Sequence, residues 1–406
     1  MNKFKSICTP KGFEASGIHA GIRKNKSKKD LGLIFCKTSA DVLGVYTTNK
    51  VKGASIDVTK EHLTLNNGKS MALIVNSGNA NTCNKNGYEV AVEMCAIVAK
   101  ALGIKTSDVI IAQTGVIGEE MSLDPIKNGM NELKEELSVD GGTNFATAIM
   151  TTDLIVKESV VEIPFGNTKG YIAAVAKGSG MINPKMATML CFITTDINIS
   201  NGLMEKAFKD VISNTLNMVS VDGDTSTNDM AMLFNSKLAG NSEIIDEKSI
   251  EYADFKNGLF KVLTDISKLI ARDGEGATKL LIAKVTNAID EAQAQKVAKS
   301  VISSNLLKAA MFASDANWGR ILCAIGYADC DVDVEKIDVS LESKNGVVQV
   351  CEKGYGEKFD NEFAHKVLDS DEVIIDINLN SGTSFANAYG CDLTYQYVKI
   401  NAEYRT

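Results

Sequence analysis

The stretch Ala176-Lys-Gly-Ser-Gly-Met-Ile-Asn-Pro-Lys-Met-Ala-Thr-Met-Leu-Cys191 decides how this chain is read. An apolar run over 171–176 enters a glycine loop. The loop passes Asn183-Pro184 and Met186-Ala187-Thr188, and a second apolar run follows over 191–197. Two short apolar runs on either side of a glycine loop predict two strands. The glycines alone carry little chemistry. Lys177-Gly-Ser-Gly180 has G-x-G but does not complete G-x-G-x-x-G, and Lys177 stands where a G-x-S-x-G elbow needs glycine. A threonine after a small residue at the mouth of a strand is, as a generic pattern, ordinary.

Outward from this centre the chain alternates strands and helices. Strands are predicted at 71–75, 109–112, 278–285, 373–379 and 394–400. Helices are predicted at 88–102, with Gly103 as the stop, and at 204–219, 255–271 and 288–303. A hairpin over 337–350 carries Asn345-Gly346, a type I′ turn signal. The class is mixed α/β (α+β), and hairpins argue against a purely parallel sheet. A soft boundary falls near 286. It divides a catalytic core, residues 1–286, from a smaller C-terminal α/β domain, residues 287–406.

The 406 residues suggest two or three domains at about 150 residues each. A 45% hydrophobic and 23% charged composition is that of an ordinary globular protein. The net charge of −8 argues against nucleic acid and against an anionic membrane as partners. No apolar run approaches the roughly 18–20 residues of a membrane span, and no signal peptide is visible. The nine cysteines form no C-x-x-C pair, which predicts reduced thiols in a cytoplasmic protein rather than a metal site.

Histidine is scarcer still: His19, His62 and His365 are the full set. Each is expected to be structural or solvent-facing. If the chain activates a nucleophile, its base is then expected to be something other than histidine. Asp222-Gly-Asp-Thr-Ser226 begins like a calcium loop, but Thr227 and Leu233 stand where glycine and glutamate are required. The segment Asp222–Asp229 is left as a polar turn or a pocket lining.

At this point the residues resemble a family. Lys177-Gly-Ser-Gly-Met181, Pro184 and Met186-Ala-Thr-Met-Leu190 look like the self-cleavage site of the ornithine acetyltransferase (ArgJ) family of arginine biosynthesis. Thr47-Thr-Asn49, Asn76-Ser-Gly-Asn-Ala-Asn81, Thr114-Gly-Val-Ile-Gly118 and Thr151-Thr-Asp153 match in order. So do Ser220 to Asp229, Asp273-Gly-Glu-Gly-Ala-Thr-Lys279, Asn317-Trp-Gly-Arg320 and the closing segment 397–406. Ser314-Asp315-Ala316 departs from an expected Gly-Asp-Pro and removes no proposed catalytic group.

The resemblance implies an N-terminal-nucleophile enzyme with mixed β-sheets flanked by helices. It implies self-cleavage between Ala187 and Thr188 and a ping-pong transfer of acetyl from N-acetylornithine to glutamate. Thr188 is the implied nucleophile, with Thr114 and Gly115 as oxyanion hole. Thr151, Lys177, Thr188, Glu275, Asn401 and Thr406 are the implied substrate contacts, with Thr152 as the neighbouring alternative to Thr151. The chemistry suits the histidine shortage. Cleavage frees an α-amino group with a reference pKa of roughly 7.7–8, so Thr188 can carry its own base. Within these contacts, Lys177 is suited to the substrate α-carboxylate and Glu275 to the ornithine side-chain ammonium. No cofactor and no metal are implied, and acetyl-CoA enters only as a candidate second acetyl donor. The fragments are expected to stay together as an α2β2 heterotetramer in the cytoplasm. The competing expectation is a self-cleaving aminopeptidase or amidohydrolase that passes the acyl group to water.

Overall fold

The computed structural model describes residues 5–183 and 189–403. Its strands are β1 (Phe13–Ile18), β2 (Leu31–Tyr46), β3 (Lys69–Asn79), β4 (Val109–Val116), β5 (Lys157–Phe165), β6 (Thr168–Lys177), β7 (Leu190–Thr195) and β8 (Val219–Ser220). They continue with β9 (Met230–Asn235), β10 (Leu280–Ala288), β11 (Asp338–Ser343), β12 (Gly346–Glu352), β13 (Tyr355–Gly356), β14 (Glu372–Asn378) and β15 (Ser384–Cys391).

Two mixed sheets result. The first runs β4-β3-β2-β9-β7-β6-β5, with β1 also paired to β2. Its β3–β4 and β7–β9 pairs are parallel, and the other pairs are antiparallel. The second runs β13-β12-β11-β14-β10-β15-β8. The boundary expected near 286 falls inside β10, which pairs with β14 and β15 in this second sheet.

The helix Ile250–Arg272 bridges the two sheets. Its apolar stripe, Phe255, Leu259, Val262, Leu263, Ile266 and Ile270, recurs at helical spacing and is fully buried. The stripe shares one core with Ile172 and Ala174 of β6 and with Leu280, Ile282 and Tyr389 of the second sheet. This shared core is why the two halves of the chain meet along one seam.

Three local expectations fail, each for a tertiary reason. Residues 394–400 do not form a strand: Tyr395–Glu403 is a helix. Its β-branched and aromatic residues favour strand, but contacts at its start override that preference. Thr394 Oγ1 donates to Gly276 O at 2.7 Å and accepts from Gln396 N at 3.1 Å. A side chain on Gly276 would strike Tyr397 N at 2.6 Å, so glycine there lets the helix dock.

The hairpin turn lies one residue early. Ser343 pairs with Gly346, leaving Lys344 and Asn345 as the loop. Asn345 instead donates to Lys366 O at 2.9 Å and so ties the turn to the helix Asn361–Leu368. The helix expected over 204–219 ends at Asn214, because Thr215 turns out of it and Val219 joins β15.

Candidate active site

The strand ends converge. Lys177 closes β6 and pairs across to Leu190, the first residue of β7. Leu190 in turn lies beside Met230 at the start of β9. A cleft opens at this edge. Thr114, Gly115, Thr151, Thr152, Lys177, Glu275 and Asn401 all line it, together with Met189. Residues that span 288 positions of sequence, from 114 to 401, thus face one space. Ala187, Thr188 and Thr406 lie outside the described residues, but Thr188 is covalently joined to Met189.

Gly115 adopts φ +129, and an added Cβ would sit 2.3 Å from the Gly78 carbonyl carbon. Glycine is therefore needed where β4 leaves its pairing with β3. Lys177 Nζ donates to Thr114 Oγ1 at 3.2 Å. Burial pushes the Lys177 ammonium pKa down, although Asp153 and Asp229 oppose the shift. Glu275 is buried, and its Oε2 accepts from Asn401 Nδ2 at 2.8 Å. The Glu275 carboxylate lies where a Gly180 side chain would be, 2.4 Å from the built Cβ. Glycine at 180 is thus room made for Glu275. Both threonines of the 151/152 pair face the cleft. Thr151 N donates to Asp153 Oδ2 at 2.8 Å, and Thr152 Oγ1 bonds Ser179 Oγ at 2.7 Å.

Sequence reasoning left Ser226, Thr227, Asn228 and Asp229 unassigned, yet all four line the cleft. Asp222 folds their loop against the motif: its carboxylate accepts from Met181 N at 2.6 Å and Ile182 N at 2.9 Å. The alternative of a pocket lining for this segment therefore matches the geometry. None of the three histidines lines the cleft. His62 Nδ1 lies 2.6 Å from Val109 O, and His19 Nδ1 lies 2.8 Å from Lys28 O.

A buried ion triad braces the chain next to Lys177. Lys157 Nζ reaches Asp153 Oδ1 and Asp273 Oδ2, each at 2.6 Å, and all three side chains are shielded from solvent. Asp153 also accepts from Gly178 N at 2.7 Å. Burial alone would raise Asp153, but Lys157, Lys177 and that N–H outweigh it and hold the carboxyl at about 2. Replacing Lys157 by methionine should leave two buried carboxylates unpaired and cost about 3–5 kcal/mol in urea unfolding. The sign of the pH dependence follows. A depressed carboxyl contributes stability that is complete above its unfolded value near 4 and lost as pH falls through about 2. The wild type should therefore lose stability between these limits faster than Asp153→Asn does, measured as urea midpoints against pH.

The sequence model of the ArgJ family matches residues 14–406. The chain belongs to the ArgJ family. Arginine biosynthesis bifunctional protein ArgJ 1 of Clostridium acetobutylicum is 47% identical over 403 residues, covering 99% of this chain and 98% of that protein. The ArgJ bifunctional protein of Caldanaerobacter subterraneus subsp. tengcongensis is 44% identical and covers 98% of both chains. A crystal structure of the bifunctional ArgJ protein of Bacillus halodurans is 43% identical, with a TM-score of 0.49 over 52% of this chain and 98% of that one. The ArgJ match runs through the motif around residue 188 and through every described cleft residue named above. Among the described residues, no helix is long and apolar enough to cross a membrane.

Proposed function

We propose that the protein is an acetyltransferase of arginine biosynthesis that moves acetyl from N-acetylornithine to glutamate through an acetyl-Thr188 intermediate. The observation that carries this reading is the convergence of Thr114, Gly115, Lys177, Glu275 and Asn401 on Met189, the neighbour of the residue before which the family motif is cut. After self-cleavage between Ala187 and Thr188, the freed α-amine takes the Thr188 hydroxyl proton. The oxygen attacks the acetyl carbonyl, the amine returns its proton to the leaving nitrogen, and ornithine departs. Glutamate then gives its amine to the acetyl ester, and N-acetylglutamate leaves with the Thr188 hydroxyl restored.

Thr114 and Gly115 serve the negative oxygen of each tetrahedral intermediate. Lys177 serves the α-carboxylate common to both substrates. Glu275, steadied by Asn401, serves the ornithine ammonium, while Thr151 and Thr406 complete the contacts. No cofactor is required. The relatives' name, bifunctional, supports acetyl-CoA as a second acetyl donor. The two fragments stay paired as an α2β2 heterotetramer in the cytoplasm. Transfer to water, as in an aminopeptidase or amidohydrolase, has less support, because the family match spans nearly the whole chain.

Steady-state kinetics test the reading. Initial rates at several N-acetylornithine and glutamate concentrations should give parallel double-reciprocal lines, the sign of a covalent intermediate. Intersecting lines point to direct transfer in a ternary complex and contradict it. The same assay with acetyl-CoA in place of N-acetylornithine should also yield N-acetylglutamate.

A further inference from the structure

Self-cleavage needs a base that the mature mechanism does not supply. Before the cut, the nitrogen of Thr188 belongs to a peptide bond, and its lone pair is delocalised into the carbonyl. Thr188 can carry its own base only once that bond is gone. Some other group must take the hydroxyl proton in the first step.

Among the described groups that line the cleft, Lys177, Asp229 and Glu275 can exchange a proton. Lys177 Nζ donates to Thr114 Oγ1, and Glu275 Oε2 is occupied by Asn401. Asp229 differs. Its Oδ2 is buried and has no hydrogen-bond partner among the described residues. A buried carboxylate oxygen without a partner is uncommon and calls for an explanation.

Register places Asp229 beside Met189. In the parallel β7–β9 pair, Met230 N donates to Met189 O at 3.0 Å. Asp229 precedes Met230 and lines the cleft together with Met189, the residue to which Thr188 is bonded. Thr47 N donates to Asp229 O at 2.9 Å and fixes the main chain there. Burial pushes the Asp229 carboxyl pKa up, with Lys177 and hydrogen bonds from Ser226 opposing, and the rise makes the carboxylate a stronger base than that of an exposed aspartate.

We propose that Asp229 is the general base of the self-cleavage step, a role that rests on Thr188 being the cleavage nucleophile. The carboxylate takes the Thr188 Oγ proton as Oγ bonds to the Ala187 carbonyl carbon. When the tetrahedral centre collapses, the carbon–nitrogen bond breaks and Asp229 passes the proton to the leaving nitrogen. An ester now joins Ala187 to Thr188 Oγ, and the nitrogen is an amine. One water hydrolyses the ester, which leaves the Ala187 carboxylate and restores the hydroxyl. Thereafter the amine is the base.

The test uses the full chain. The fraction cut is followed by intact mass after purification and during incubation, for wild type, Asp229→Asn and Asp229→Ala. Asp229→Asn should melt with the wild type yet be cut at least about 100-fold more slowly, at the low end of what a general base contributes. Formate, a small carboxylate that fits the space left by the side chain, should restore cutting to Asp229→Ala in proportion to its concentration. Chloride at equal ionic strength should not. A folded Asp229→Asn that is cut at the wild-type rate overturns the proposal. So does a folded, uncut Asp229→Ala that formate leaves uncut. An uncut wild-type chain instead overturns the Thr188 reading, and the base proposal with it.

Discussion

Thr188→Ala should leave one intact chain of 406 residues and no measurable acetyl transfer. Wild type should resolve under denaturing conditions into fragments 1–187 and 188–406. On the proposed mechanism two functions are lost together, because one hydroxyl serves both, first against the Ala187 carbonyl and then against the acetyl group. Removing the nucleophile from an enzyme of this kind costs roughly 10⁶ in kcat. Fold is not the cause of that loss. The core strands on either side, β6 and β7, are held by their own ladder from Ile172↔Thr195 to Lys177↔Leu190. Thr188→Ala should therefore melt close to wild type. Thr188→Ser keeps a hydroxyl and should be cut and transfer acetyl, at a reduced rate. An Ala variant that still appears as two fragments would assign the cut to another residue.

Gly115→Ala carries the second largest expected effect. The new methyl would lie 2.3 Å from Gly78 C and 2.6 Å from Asn79 N, both backbone atoms of β3 that cannot turn aside. Gly78 and Gly115 are register partners, so the end of β4 must lift away from β3. Thr114, and with it the contact to Lys177, moves too. Loss of one oxyanion donor costs about 2.7–4 kcal/mol in the barrier, or 10²–10³ in kcat. The backbone strain at φ +129 adds about 1–3 kcal/mol of instability. Gly118→Ala is the internal comparison. Gly118 also has positive φ, +78, but nothing stands within 4 Å of its built Cβ. It should lose stability of a similar kind and keep most of its kcat. Comparable kcat losses in both variants would separate Gly115 from the chemistry and leave only strain.

How much of this was legible in the sequence differs from element to element. The strands around 71–75, 109–112 and 171–176 were, because short apolar runs bounded by glycine and asparagine carry their own signal. The cleft residues Thr114, Lys177, Glu275 and Asn401 followed from motif resemblance, not from spacing, since nothing local brings residues 114 and 401 together. The helix Tyr395–Glu403 was misread because its own residues favour strand, while the glycine that gives it room to dock, Gly276, lies more than a hundred positions earlier. Asp229 was visible as part of a polar segment but had no role. That role depends on β9 lying beside β7, a register between strands about forty residues apart. The Lys157 triad was hidden for the same reason: Lys157 and Asp273 are 116 positions apart and meet only in the folded chain.

The central claim is that Thr188 carries the acetyl group, and intact mass of the quenched enzyme tests it most directly. Protein incubated with N-acetylornithine alone, then denatured, should show one added acetyl on the fragment that begins at Thr188 and none on fragment 1–187. Addition of glutamate before the quench should remove it. Turnover with both fragments unmodified under every quench condition would contradict the account.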